Sequence, residues 1–244
     1  MFGARDPLWA ILTQGDKKNG GWDPAEFFLT GVREIESALA YVESRHPLRS
    51  RRRALDFGCG VGRLMQALAV HFDHVDGVDI SPSMIAEGRR YNRFPERCRY
   101  VLNDRPDLRV FPDQSFDFIY SNITLQHMPP RYSSRYIAEF LRVLAPGGVL
   151  LFQLPGRMQG VGVRWIHRAL YHLYCLLLRW FRPRQPYIAM YGMRKDKVAR
   201  LIASHGGQLI EAVADRSAGP KWESYRYLVT RPTPNGNNAM TSVD

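Results

Sequence analysis

Three glycines at alternate positions, Gly58, Gly60 and Gly62, follow directly on the apolar run Ala54-Leu55-Asp56-Phe57. A buried strand that turns sharply into a helix through such glycines leaves backbone N–H groups facing outward, and the helix dipole favours an anionic group there. A second carboxylate, Asp79, stands 21 residues after Gly58 at the end of another apolar run, where an acid can accept both hydroxyls of a ribose. Asn103-Asp104 ends a third run and is placed to meet an adenine amino group. The spacing is G-x-G-x-G, with Arg63 where a nicotinamide-dinucleotide turn wants Gly or Ala. Asp56, just ahead of the first glycine, suits an ammonium group better than a pyrophosphate.

A ligand with an amine, a carboxylate and an adenosine meets all of these demands, and S-adenosylmethionine is such a ligand. The elements that position these residues alternate in the manner of βα units, which predicts a doubly wound, mostly parallel sheet. Strands are predicted at Ala54–Phe57, His74–Asp79, Cys98–Leu102, Phe116–Ser121 and Val149–Leu154, and helices at Gly62–His71, Pro82–Asn92 and Pro130–Val143. A helix at Lys195–Ser204 and two closing strands, Gln208–Val213 and Ser224–Thr230, complete the pattern. Ahead of the sheet, Asp23-Pro24 opens a helix whose apolar residues Phe27, Phe28, Val32, Ile35, Leu39 and Val42 recur at helical spacing. The expected organisation is an N-terminal helical cap over 1–48, a catalytic domain over 49–231 with a helical insertion at 156–186, and a polar, turn-rich tail over 232–244.

The run LDFGCGVGRL resembles the first motif of the class I S-adenosylmethionine-dependent methyltransferases, particularly the methyltransferase-domain group that acts on small molecules. HVDGVDIS is similar to that family's acidic second-strand motif, LND at 102–104 to its adenine-contact loop, FDFIYSNITLQHM to its fourth-strand motif, and LRVLAPGGVLLF to its turn into the fifth strand. The resemblance spans Arg53 to Leu154 strongly and the final helix and strands more loosely. It implies a seven-stranded sheet of order 3-2-1-4-5-7-6. It also implies that Asp56, Gly58, Cys59, Gly60 and Gly62 line the methionine end of the cofactor. Asp79 would hold the ribose with Ile80 and Met84 beside the adenine, Asn103 and Asp104 would finish the adenine pocket, and Asn122 and Ile123 would sit near the sulfonium.

Methyl transfer is an in-line displacement at a carbon already activated by positive sulfur, so alignment of the acceptor and exclusion of water dominate. His127, just past the fourth strand at the carboxyl edge of the sheet, is the candidate general base, against the alternative of a loop histidine that caps or packs. The aromatic N-terminal region, with Trp9, Trp22, Phe27 and Phe28, is read either as a lid over the cofactor or as packing on the flank of the sheet.

The formal net charge is +11, and its distribution is uneven. Phe140 to Lys195 holds 9 Lys or Arg and no Asp or Glu, a bias that favours anionic company or else makes a solvated basic face. Within it, the stretch from Val163 to Phe181 reads as a substrate lid, a dimerising helix or an amphipathic helix on anionic lipid. Three scattered cysteines argue against a disulfide framework or a metal cluster. Arg5 and Asp6 interrupt any secretory-type apolar stretch, and no run reaches the ~18 apolar residues of a membrane span, so a cytoplasmic chain is expected. The leading expectation is methylation of a small molecule, at oxygen rather than nitrogen. Its competitors are a lipid, quinone or glycolipid acceptor at a membrane surface, and a cofactor-binding scaffold without turnover. A nucleic-acid acceptor is disfavoured because no RNA-binding module accompanies the basic stretch and Asn122-Ile123-Thr124-Leu125 stands where an amino-methylating motif would.

Overall fold

Each predicted strand is present in the computed structural model, which describes residues 6–159 and 189–233. β1 (Arg53–Phe57), β2 (His74–Asp79), β3 (Cys98–Leu102), β4 (Phe116–Ser121), β5 (Leu144–Met158), β6 (Gln208–Asp215) and β7 (Trp222–Thr230) form one sheet of order β3-β2-β1-β4-β5-β7-β6. The first five strands run parallel, and β7 lies antiparallel between β5 and β6. Most of the 156–186 insertion, including the helix expected at Val163–Phe181, lies outside the described residues. So does all of the tail beyond Thr233.

Six α-helices are described: α1 (Pro7–Ile11), α2 (Pro24–Arg45), α3 (Arg63–Leu68), α4 (Pro82–Tyr91), α5 (Pro130–Val143) and α6 (Lys195–Ser204). Two elements differ from expectation by more than two residues at an end. α3 stops at Leu68 because the next turn tightens, with Val70 and His71 donating to carbonyls three residues back rather than four. β5 begins at Leu144, and the Ala145-Pro146-Gly147-Gly148 signal is a bulge inside it. Gly147 takes φ +75° there, and the register with β4 slips between Phe116 and Phe118.

Period-two alternation divides the strands between two cores. Leu55 and Phe57 of β1 face a core built with Tyr136, Ile137 and Phe140 of α5 and Val198 and Ile202 of α6. Ala54 faces the opposite core, formed with Ile35, Ala38 and Leu39 of α2 and Leu64, Met65 and Leu68 of α3. By the same alternation Asp56 belongs to the α2/α3 side, and its register partner on β4 is Tyr120.

Asp23 caps α2 by accepting from the Glu26 N–H at 2.9 Å, with Pro24 in the first turn. A third cluster joins Leu8, Trp22, Phe27, Phe28 and Val61 and brings the N-terminal segment onto the glycine turn. Burying side chains of this size stabilises by about 1.5–3 kcal/mol each, which secures the segment beside the site.

Candidate active site

The turn after β1 and the acid at the end of β2 are one hydrogen-bonded unit. Gly58, Gly60 and Gly62 take φ values of +81°, +54° and +86°. The Gly58 N–H donates to the Val78 carbonyl at 2.8 Å, which ties the turn to β2. The Gly60 N–H donates to Asp79 Oδ2 at 2.9 Å, and the Ser81 N–H donates to Asp79 Oδ1 at 2.8 Å. Burial raises the Asp79 carboxyl above its ordinary range, while the backbone N–H groups of Ser81, Gly60 and Ile80 pull it back. The space a Cβ would need at Gly58 is filled by Thr124, whose Oγ1 would stand 2.3 Å away, and at Gly60 by Ile11 Cδ1 at 2.7 Å. The glycines therefore let the N-terminal segment and the loop after β4 close directly onto the turn.

Beneath the turn lies a cluster that sequence reasoning did not assemble. Asp56 is 1% exposed, and neither of its carboxylate oxygens has a hydrogen-bond partner among the described residues. Burial pushes its carboxyl up to about 7, and nearby Glu34 and Asp79 add to this. Arg63 and the Met65 amide oppose the shift, the amide without meeting hydrogen-bond geometry. Arg63 is itself buried and donates from Nη2 to Glu34 Oε2 at 2.7 Å and from Nη1 to Thr30 at 3.3 Å. Glu34 Oε1 accepts from the Tyr120 hydroxyl at 3.0 Å and from Asn122 Nδ2 at 2.7 Å. One α2 carboxylate thus joins α3, β4 and the loop after β4. A readable signal existed, because Glu34 sits seven residues after Phe27 and three after Gly31, inside the buried stripe of α2. A charge on such a stripe calls for a partner.

The loop after β4 is held from its other side by a chain of amides. Ile123 adopts φ +56°, a conformation β-branched residues avoid, and its N–H donates to Gln153 Oε1 at 3.3 Å. Gln153, fully buried on β5, donates from Nε2 to Ser224 Oγ at 2.8 Å and to Gln126 Oε1 at 3.2 Å. Gln126 Nε2 then lies 3.2 Å from His127 Nε2. An amide nitrogen only donates, so this contact requires the imidazole nitrogen to accept and the ring to be neutral. The crowding around His127 lowers its pKa from the usual imidazole value, with the Ala189 backbone opposing, although the side chain keeps an open face to solvent.

The other expected residues fall around the carboxyl edge of the sheet. Ile80 and Leu102, at the ends of β2 and β3, are 70% and 48% exposed. Met84 packs beneath the N-terminal cluster. Cys59 is buried, and its thiol is pushed far up by burial, as befits a packing residue rather than a nucleophile. Asn103 is committed elsewhere: its amide donates to the Asp107 carbonyl at 2.7 Å and to the Arg105 carbonyl at 3.2 Å. Asp104 is exposed beside it.

A cleft of about 520 Å³ opens where β5 and β7 meet the start of α6, lined by Arg157, Arg194, Lys195, Asp196, Glu223 and Tyr225. A second cleft, about 420 Å³, lies at the amino ends of β1–β3, away from the turn. Asp76 within it is already paired with Arg53 at 2.7 Å and with Arg99. No group of acidic, histidine or cysteine side chains suited to a metal ion occurs among the described residues.

Residues 54–148 match the methyltransferase domain family. The chain is 31% identical over 150 residues to trans-aconitate 2-methyltransferase of Methylobacterium nodulans, an alignment covering 60% of this chain and 55% of that protein. It is likewise 31% identical over 137 residues to the Escherichia coli protein of the same name, covering 55% and 51%. The chain thus spans about half the length of the curated relatives it matches. Among solved structures, magnesium protoporphyrin IX methyltransferase from Synechocystis aligns with TM-score 0.61 at 17% identity, covering 92% of this chain and 93% of that one. The [4+2]-cyclase SpnF aligns with TM-score 0.57 at 19% identity, covering 82% of each. Residues 54–148 thus match the methyltransferase domain family, within a seven-stranded sheet whose fold is shared with solved methyltransferase structures.

Proposed function

We propose that this chain transfers a methyl group from S-adenosylmethionine to a small anionic acceptor, at oxygen. The observation that carries the reading is Asp56. A buried carboxylate with no partner is costly, and a cation rich in N–H donors relieves that cost. The ammonium of an amino acid held against the glycine turn is such a cation. Asp79 spends one lone pair of each oxygen on a backbone N–H and keeps the others for a diol. Ile80 and Leu102 offer apolar flanks for a flat base, with Asp104 as an acceptor at its edge.

When bound, the cofactor supplies a methyl carbon activated by positive sulfur. The chain's own residues do the rest. Asn122 and Ile123, fixed by Glu34 and Gln153, set the floor on which an acceptor is aligned, and such orientation lowers barriers by about 7–11 kcal/mol. His127, neutral, can take a proton from an acceptor hydroxyl once it leaves Gln126, and a carboxylate acceptor needs no base. The N-terminal segment over Gly60 excludes water.

Support for an anionic acceptor comes from the acid-free stretch Phe140–Lys195 and from relatives named for a tricarboxylate. Titration calorimetry with S-adenosylhomocysteine, followed by labelled-methyl turnover over a panel of small carboxylates headed by trans-aconitate, tests the reading. Heat of binding and a labelled ester support it. Absence of heat overturns it. Binding without turnover across the panel reduces the chain to a scaffold, and label appearing only in anionic vesicles replaces the acceptor class with lipid.

A further inference from the structure

Glu34 lies outside the domain match at 54–148, on a helix that precedes the sheet, yet it touches more of the site than any glycine of the turn. Its two oxygens accept from Arg63 at the head of α3, from Tyr120 at the end of β4 and from Asn122 in the loop that follows. α2 is pressed onto this spot: a Cβ on Gly31 would stand 2.2 Å from the Arg63 carbonyl oxygen. The cluster of Glu34, Arg63 and Asp56, with both acids ionised, carries one net negative charge; Asp56 and Arg63 are buried, Glu34 is half-buried, and both Asp56 oxygens are unpartnered. We infer that Glu34 is a positioning residue for the amino-acid end of the cofactor: by holding Arg63 it keeps that guanidinium from pairing with Asp56, and so leaves Asp56 for the ligand's ammonium. This rests on the proposed cofactor reading and deepens it, because it makes the N-terminal helix part of the binding site.

Removal of the Glu34 charge hands Arg63 to Asp56, and a carboxylate already paired with a guanidinium has less to offer an ammonium. The groups that bear on Asp56 are Arg63, Glu34 and Asp79, with Cys59, Cys98 and Tyr100 behind the turn. Burial holds Cys59, Cys98 and Tyr100 toward their neutral forms, and Glu34 raises the Asp56 pKa, so the Glu34→Gln change also moves Asp56 ionisation to lower pH.

The experiment compares two probes on the full chain by calorimetry: S-adenosylhomocysteine, which has the ammonium, and 5′-methylthioadenosine, which keeps the nucleoside and lacks the amino acid. For Glu34→Gln the expected result is about tenfold weaker S-adenosylhomocysteine binding with methylthioadenosine affinity unchanged, the loss expected of one charge-assisted hydrogen bond. The pH at which S-adenosylhomocysteine affinity rises should also fall relative to the parent chain. Equal affinity of parent and variant for S-adenosylhomocysteine overturns the inference. Equal loss for both probes also overturns it, since Glu34 would then be scaffold only. Should Glu34→Gln unfold, Glu34→Asp, which draws the carboxylate back from Arg63 by one methylene, is read the same way: weakened binding confined to S-adenosylhomocysteine supports the inference, and equal affinity or equal loss for both probes overturns it. A parent chain that binds neither probe removes the cofactor reading itself, and is thereby distinguished from failure of this inference.

Discussion

The Gly60 amide donates to Asp79 Oδ2 at 2.9 Å across 19 positions of sequence, so the glycine turn and the acid that ends β2 are built as a single cradle. Asp79 therefore has two duties, bracing the turn and offering lone pairs outward. Asp79→Ala removes both. Cofactor affinity should fall by about tenfold to a hundredfold, the range set by one or two hydrogen bonds to a charged group. Asp79→Asn should lose less, because it retains one acceptor. S-adenosylhomocysteine calorimetry checks this, and unchanged affinity in Asp79→Ala would mean the ribose is held elsewhere.

Gly58 is bound by two constraints at once, a φ of +81° and the side chain of Thr124 in the space of the absent Cβ. Gly58→Ala should destabilise the fold by more than the roughly 1–2 kcal/mol that left-handed backbone costs an ordinary residue, since Thr124 must also move. Adding Thr124→Gly should return the steric part and leave the backbone part. Chemical denaturation of the single and double variants separates the two. If the double variant is no more stable than the single one, Thr124 is not what the glycine accommodates.

The strands and the cradle were legible because their determinants are local. Continuous apolar runs mark strands covered on both faces, and a G-x-G-x-G turn with an acid one βα unit later states its own purpose. The Glu34 cluster was opaque for the opposite reason. Glu34 and Asn122 lie 88 positions apart, and nothing in either neighbourhood names the other. Arg63 counted in the sequence only as a departure from the dinucleotide pattern, whereas in the fold its burial beside Glu34 is its role. Asn103-Asp104 shows the limit of motif reading at single-residue grain. The pair sits where expected, but Asn103 closes the 105–107 loop with its amide, and Asp104 is left as the outward acceptor.

His127 stands at the end of the amide chain Gln153–Gln126 and accepts as a neutral ring. With its pKa lowered by its surroundings, it remains deprotonated through neutrality and gains a proton only in acid. With a hydroxyl acceptor, turnover should be flat at neutral and alkaline pH and fall only in acid, at a lower pH than an ordinary imidazole would set. His127→Ala should lower kcat by about 10²–10⁴ with S-adenosylhomocysteine affinity intact. With a carboxylate acceptor the same variant should cost far less, so the kcat ratio between acceptor types reads the role of the ring directly.

Asp56 sets function against stability. Its carboxyl is raised to about 7 in the folded chain, against an ordinary value near 3.8. The folded state therefore holds a proton that the unfolded state releases between those limits. The associated stability is fully present below about pH 4 and is lost as pH rises through 7. The difference amounts to roughly 4 kcal/mol at alkaline pH for a group with no access to solvent. Asp56→Asn removes the titration. The variant's advantage in unfolding free energy over the parent should grow between pH 5 and 7 and level off above 8, while its S-adenosylhomocysteine affinity falls. Denaturant unfolding at each pH, with calorimetry alongside, measures both. A parallel pH dependence in the two proteins would mean that Asp56 is ionised and paired in the folded chain, and the case for a waiting ammonium site would go with it.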